Sequence, residues 1–81
     1  MEVSPVNNRR RETLKDARCL LERASEIISK VLDEEQDAVD NMPENLQSSE
    51  KYERMEAAID KLEEAIEQID SAKENIDEAS E

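Results

Sequence analysis

Apolar residues recur along the first half of the chain at alternating intervals of three and four positions. The series is Leu14, Ala17, Leu21, Ala24, Ile28, Val31, Ala38 and Met42, with Glu35 as its polar member. This spacing holds one stripe of an α-helix against a partner and predicts a helix over residues 8–41. Further apolar residues widen the stripe: Leu20, Ile27, Leu32 and Val39. The helix therefore has more apolar surface than a single neighbour covers.

The same spacing resumes in the second half of the chain and predicts a helix over residues 49–79. Its series is Tyr52, Met55, Ile59, Leu62, Ile66, Ile69, Lys73 and Ile76. The jump from Met42 to Tyr52 is neither one heptad nor two, so one continuous helix would turn its stripe away from the partner. Pro43 also lacks the amide proton of an interior turn and disfavours helical geometry at Met42. Two helices joined at residues 42–48 are predicted.

The residues of this corner suit a tight reversal of the chain. Asn41 and Asn45 accept unusual backbone geometry in a chain without glycine, and Ser48 or Ser49 can cap the second helix. Residues 43–47 are expected to form a short extra helical turn, because proline suits a first helical position. Leu46 is expected to fold inward from that turn.

These elements predict an all-α fold, an antiparallel two-helix hairpin of coiled-coil type. A flexible N-terminus over residues 1–7 precedes a single domain over residues 8–81. The chain has 81 residues, 36% of them apolar and one aromatic, which allows only a thin core. We therefore expect a homodimer in which two hairpins form a four-helix bundle, unless a partner covers the surplus apolar surface.

Charge excludes some classes of function. The net charge is -12, and it divides into +2 over residues 1–32 and -14 over residues 33–81. Direct nucleic-acid binding by phosphate neutralisation needs the opposite sign, so a basic protein partner is expected instead. The chain has no glycine, no histidine and one cysteine, and the usual metal and phosphate motifs are absent, so no cofactor is expected. The single Cys19 and the lack of long apolar runs favour an intracellular protein outside the membrane.

The second helix repeats every seven residues from Met55. The fourth position of each repeat is alanine, and the second and sixth are acidic: Glu56, Asp60, Glu63, Glu67, Asp70, Glu74, Asp77 and Glu81. These carboxylates form a line with a charge roughly every 5 Å, whereas one DNA strand places a phosphate about every 3.4 Å. The line is either a solvated face with salt bridges or an acidic binding surface.

The strongest concentration of negative charge flanks the corner. The candidate partner-binding residues there are Asp33, Glu34, Asp37, Asp40, Glu44, Glu53, Glu56, Asp60, Glu63 and Glu67. At the other end, Arg9 to Arg11 either pair with acidic residues over 70–81 or bind an anion. Cys19 is expected to be a small packed or half-exposed side chain, and Tyr52 to pack in the seam.

The stretch over residues 33–70, and above all its segment MPENLQSSEKYERMEAAIDKLEEAIEQID over residues 42–70, resembles small acidic helical proteins of bacteriophages and integrative elements of Gram-positive bacteria. The resemblance covers about half the chain and transfers no site residues. It implies a mobile-element protein in the cytoplasm of a bacterial host, a class that includes inhibitors of host defence such as anti-CRISPR proteins and DNA mimics.

Three functions are compatible with these features of the sequence. The first is a non-enzymatic inhibitor whose acidic face binds a basic, nucleic-acid-binding surface of a host defence protein, such as a CRISPR nuclease. The second is a structural or scaffolding coiled-coil module. The third is an oligomeric sponge that holds a nucleotide signal through Arg9 to Arg11. An enzyme is not expected, because no pair of carboxylates is set apart by its environment.

Overall fold

The computed structural model describes residues 6–81, and this part of the chain is helical without strands. Helix α1 spans Asn8–Asp40 and helix α2 spans Glu50–Ala79. A short 3-10 turn, Glu44–Leu46, lies between them. The two long helices pack against each other as a hairpin, as the spacing predicted. Residues 1–5 of the segment predicted to be flexible lie outside the described residues.

Each long helix begins at a side-chain cap. The Asn7 side chain accepts a hydrogen bond from the Arg10 amide at 2.9 Å. The Ser49 hydroxyl accepts one from the Tyr52 amide at 3.2 Å. Such a cap satisfies an amide that has no partner within the helix and typically contributes about 1 kcal/mol. The caps explain why α1 starts at the predicted residue and α2 starts one residue later than predicted.

The corner contains the extra turn expected from Pro43. The Leu46 amide donates to the Pro43 carbonyl at 2.9 Å, and the Gln47 amide donates to the Glu44 carbonyl at 3.1 Å. The expected inward position of Leu46 is wrong, because its side chain is 46% exposed. The turn closes on its own backbone, and the Gln47 side chain also bonds the Met42 carbonyl. The corner is therefore held by polar contacts and leaves Leu46 on the outside.

The seam of α2 is confirmed, whereas the predicted seam of α1 is wrong at Val31 and Ala38. All the predicted seam residues of α2 are buried or half-buried. Of the nine residues predicted for the first seam, seven are half-buried, whereas Val31 and Ala38 are exposed. Leu32 and Val39 lie inward in their place, and Arg18 and Ser25 share the seam with the half-buried Ala17 and Ala24. Val39 is 5% exposed and Val31 is 45% exposed, so the difference is large.

Side-chain size explains this choice of seam. Both alternations of three and four contain the same five residues, so spacing alone cannot separate them. The observed seam buries the larger Leu32 and Val39 and leaves Ala38 exposed. This choice places Arg18 and Ser25 at the seam in exchange. Arg18 remains tolerable there because its guanidinium reaches the Asp77 carboxylate at 2.8 Å.

The core of the hairpin is thin. In the described part of the chain, Val39 and Ile59 are the buried apolar residues, and Ser25 is the buried polar one. Full burial of such an aliphatic side chain contributes about 1.5–3 kcal/mol. Most other seam residues are only half-buried, because a two-helix hairpin cannot enclose them. The hairpin thus retains apolar surface for a further neighbour.

A candidate protein-binding surface on one flank of the hairpin

Two ion pairs cross between the helices and mark one edge of the seam. The Arg18 guanidinium contacts the Asp77 carboxylate at 2.8 Å, and the Lys73 ammonium contacts the Glu22 carboxylate at 2.8 Å. Lys73 is a seam residue with a side chain only 13% exposed, so its stem packs while its charge reaches the edge. Glu22 and Asp77 therefore lie on the same side of the hairpin.

Helical periodicity extends this side along the whole hairpin, since residues three, four and seven positions apart share a face. We call it the acidic flank. Its acidic members on α1 are Glu12, Glu22, Glu26, Asp33 and Asp40. Its acidic members on α2 are Glu53, Glu56, Asp60, Glu63, Glu67, Asp70, Glu74 and Asp77, and Glu81 follows just beyond the end of the helix. Both helices thus place most of their carboxylates on this one flank.

Carboxylates of the acidic flank are exposed to solvent throughout. They form two rows, a dense one on α2 and a sparser one on α1. The helix axes of a packed pair are about 8–10 Å apart. The surface therefore offers a basic partner a band of negative charge rather than a single line.

At the end of the hairpin opposite the corner, the paired charges shift one another's pKa values. The Lys73 ammonium lowers the pKa of the Glu22 carboxyl, first by hydrogen bonding and then by Coulomb attraction. Glu22 in turn raises the pKa of Lys73, mainly through the same hydrogen bond. Asp77 raises the pKa of Arg18, again with the hydrogen bond as the largest cause. These pairs neutralise part of the acidic flank near the chain ends.

Near the corner, no lysine or arginine among the described residues forms an ion pair between the two helices. Tyr52 is half-buried there, in the seam position expected for it. Its hydroxyl pKa is raised, mainly by a hydrogen bond to the Glu56 carboxylate and then by desolvation. The corner end is therefore the more negative part of the flank.

The structure brings most of the predicted partner-binding residues together. Seven of them lie on the acidic flank: Asp33, Asp40, Glu53, Glu56, Asp60, Glu63 and Glu67. The other three point elsewhere, because Glu34 follows Leu20 and Ile27 on the opposite flank, Asp37 lies on the outer face of α1, and Glu44 lies in the corner turn. Whether any of them binds a partner stays a prediction.

Sequence reasoning missed the contribution of α1 to the acidic flank. The predicted set lacks Glu22 and Glu26, and it contains Asp33 and Asp40 because of their position in the chain and not because of their face. The signal that could have found them is the position of each carboxylate relative to the correct seam. With Leu32 and Val39 placed inward, these residues fall on the side of the α2 line.

The arginines at the start of α1 make different contacts from the pairing expected for Arg9 to Arg11. Arg11 donates to the backbone carbonyl of Glu81 at 3.3 Å and to the Asn8 side chain at 3.3 Å. The ion pair to α2 is made instead by Arg18. Arg9 and Arg10 are exposed. An open depression lies between Arg11, Lys15 and Ile76, which adds no aromatic side chain for stacking a nucleotide base.

Other candidate chemistry is sparse over the described residues. Cys19 is a free thiol on α1, and the expectation that it is packed or half-exposed is wrong, because its position on the acidic flank lies away from the seam and leaves it exposed. Residues 6–81 contain no cluster of three or more side chains that could hold a metal ion. Neither helix within this range combines the length and apolar character needed to cross a bilayer.

Comparison with known proteins assigns no relatives. The chain matches no protein-family model, and significant matches are found neither among curated proteins nor among solved structures. The resemblance to mobile-element proteins therefore gains no support from these searches. The remaining evidence about function is the geometry of the hairpin itself.

Proposed function

We propose that this protein is a non-enzymatic inhibitor from a phage or mobile element that acts in the cytoplasm of a bacterial host. In this proposal its acidic flank covers a basic, nucleic-acid-binding surface of a host defence protein, such as a CRISPR nuclease. The observation that carries the proposal is the collection of carboxylates from both helices on one flank. A solubility role alone does not require such segregation, because charges spread around the hairpin would serve equally well.

The electrostatic cost of this arrangement supports a role in binding. Like charges three and four positions apart destabilise a helix by tenths of a kcal/mol per pair. The acidic line on α2 repeats such pairs from Glu53 to Asp77. Counter-charges from a basic groove would relieve this repulsion upon binding, and the released counterions would add to the affinity.

A first experiment identifies the partner and tests the flank. Tagged protein is used to retain binding proteins from a Gram-positive host lysate, and the retained protein is purified and titrated at low and high salt. We expect affinity to fall steeply with salt, and DNA or RNA to compete for the same surface. Binding that is insensitive to salt and to nucleic acid would refute the acidic mechanism.

A matched pair of triple variants separates the flank from net charge. Replacing Glu56, Asp60 and Glu63 with lysine reverses charge on the acidic flank. Replacing Asp16, Glu64 and Glu78 with lysine makes the same change in net charge on the outer faces. We expect the first variant to lose binding and the second to retain most of it. Equal losses would show that only total charge matters.

We also propose that two hairpins associate as a homodimer with a four-helix core. The supporting observation is the exposure of large apolar side chains on α1, since Leu20 is 71% exposed and Ile27 is 56% exposed. Sedimentation equilibrium of the purified protein should give twice the 9.3 kDa chain mass at micromolar concentration. A well-folded monomer would contradict this part of the proposal.

The same exposed side chains favour one alternative function, a structural or scaffolding module. In that case the hairpin would assemble without a basic partner, and the acidic flank would only face water. The two functions separate in the lysate experiment, because a scaffold retains proteins through α1 in a manner that high salt does not weaken.

A further inference from the structure

The side of the hairpin opposite the acidic flank has a distinct composition. We call it the alanine flank. From α1 it contains Ala17, Leu20, Ala24, Ile27, Val31, Glu34 and Ala38. From α2 it contains Arg54, Ala58, Lys61, Ala65, Gln68, Ala72, Asn75 and Ala79. The flank is thus a carbon-rich surface with large side chains on one helix and small ones on the other.

Negative charge is nearly excluded from the alanine flank. Between residues 8 and 81, Glu34 is its single carboxylate, although the chain carries a net charge of -12. Leu20, Ile27 and Val31 are 71%, 56% and 45% exposed. An exposed apolar surface kept free of like charges is typical of a contact between protein chains.

The register of the hairpin determines which residues of the two helices lie at the same height along its axis, and we call such residues level. The Glu22–Lys73 ion pair fixes one level. Counting equal numbers of residues from that pair places Ile27 level with Gln68, between Ala65 and Ala72. By the same count Leu20 is level with Asn75, between Ala72 and Ala79. Glu34 is level with Lys61.

A second copy of the chain complements this surface when the two-fold axis runs along the hairpin. This rotation preserves levels and lays α1 of one copy over α2 of the other. Leu20 and Ile27 then each face a gap between successive alanines, as knobs over holes. Glu34 of one copy faces Lys61 of the other. The corners of the two copies lie at the same end, while both acidic flanks point outward.

The opposite, head-to-tail arrangement fits less well. It lays α1 over α1, so that the large side chains oppose each other, and α2 over α2, so that the alanines oppose each other. One half of the contact would then be crowded and the other half would contain gaps, which lose dispersion contacts.

The exposed area is sufficient for such a contact. The chain exposes 6384 Å². A compact monomer of this mass exposes about 5,000 Å² by the usual scaling. The excess is on the order of 1,000 Å², and a standard interface buries about 800 Å² per partner. The excess of this elongated hairpin over a compact monomer is therefore comparable with the area that a standard interface buries on each partner.

We propose that the alanine flank is the docking face for a second copy of this chain, with the two corners at the same end. This inference rests on the self-association proposed above and assigns its face and direction. It is independent of the acidic flank, which stays free for a partner on both sides of the dimer.

A matched pair of single variants tests the face. Ala65→Glu places a charge on the alanine flank, and Ala57→Glu places the same charge on the outer face of the same helix. Sedimentation equilibrium should show dimerisation weakened roughly tenfold or more by the first change, because it buries an unpaired charge, and unchanged by the second. Circular dichroism establishes that both remain helical. Equal dimerisation of the two variants, with wild type also a dimer, would overturn the assigned face but not self-association.

Oxidative cross-linking tests the direction and also covers the case in which Ala65→Glu fails to fold. In a Cys19→Ser background, one chain carries Ile27→Cys and a second, longer tagged chain carries Gln68→Cys. The mixture should give the mixed cross-linked dimer. Cross-linking of either chain with itself in place of the mixed product would overturn the same-end direction, and absence of the mixed product would overturn the proposed arrangement.

Discussion

Truncation of Val39 and Val31 to alanine gives the most direct test of the seam. The two changes are chemically identical and lie on the same helix, but the two side chains differ in exposure. Val39 is 5% exposed in the seam, whereas Val31 is 45% exposed on the alanine flank. The spacing of apolar residues alone places Val31 in the seam, so the pair separates the two assignments.

The magnitudes follow from burial and helix propensity. Loss of two buried methyl groups at Val39 costs about 1.6 kcal/mol, and the space left behind adds a few tenths. Alanine recovers roughly 0.5 kcal/mol because it is the better helix former. The net loss of unfolding free energy is about 1.5 kcal/mol, or a fall in Tm of roughly 6–12 °C. At Val31, less buried apolar surface is lost because the side chain is already half in solvent. This smaller loss is nearly cancelled by the better helix propensity of alanine.

The assay is urea unfolding followed by circular dichroism at low and high protein concentration. Because Val39 is buried within a single hairpin, Val39→Ala should lower the unfolding free energy by the same amount at both concentrations. Any cost at Val31 should appear only at high concentration, where the alanine flank is covered by a second copy. A loss at Val31 equal to or greater than that at Val39 at low concentration would refute the seam described above.

Three further outcomes are expected. Leu46→Asp should change unfolding free energy by less than about 0.5 kcal/mol in urea melts, because the side chain lies outside the corner, and a larger loss would indicate a buried contact. Pro43→Ala should leave the two helices intact by circular dichroism and NMR, because the polar contacts of the corner remain. Glu22 contributes stability above its ordinary pKa of 4.5, and this contribution is lost as pH falls through the lowered folded value. The difference in stability between wild type and Glu22→Gln should therefore be present at neutral pH and vanish in acid, and a difference independent of pH would exclude the ion pair as its source.

Periodicity was sufficient to predict the helices and the corner, because these depend on local spacing, on Pro43 and on the capping residues. It was insufficient to choose the α1 seam, because both alternatives share five residues and the decision depends on how Leu32 and Val39 fill the space against α2. That error also hid the acidic flank, since the face of Asp33 or Asp40 is defined only relative to the seam. The inward position expected for Leu46 failed because the corner turn closes on its own backbone.

The thin core also determines the order in which the hairpin closes. Its two buried apolar residues, Val39 and Ile59, lie close together in the chain near the corner. The Arg18–Asp77 contact at the other end joins residues 59 positions apart. Closing that longer loop first costs about 1 kcal/mol more in chain entropy than closing the shorter one. The helices should therefore zip together from the corner outward and fray from their free ends, with amide hydrogen exchange slowest near Val39. A partner that binds the corner would therefore contact the part of the molecule that folds first and unfolds last.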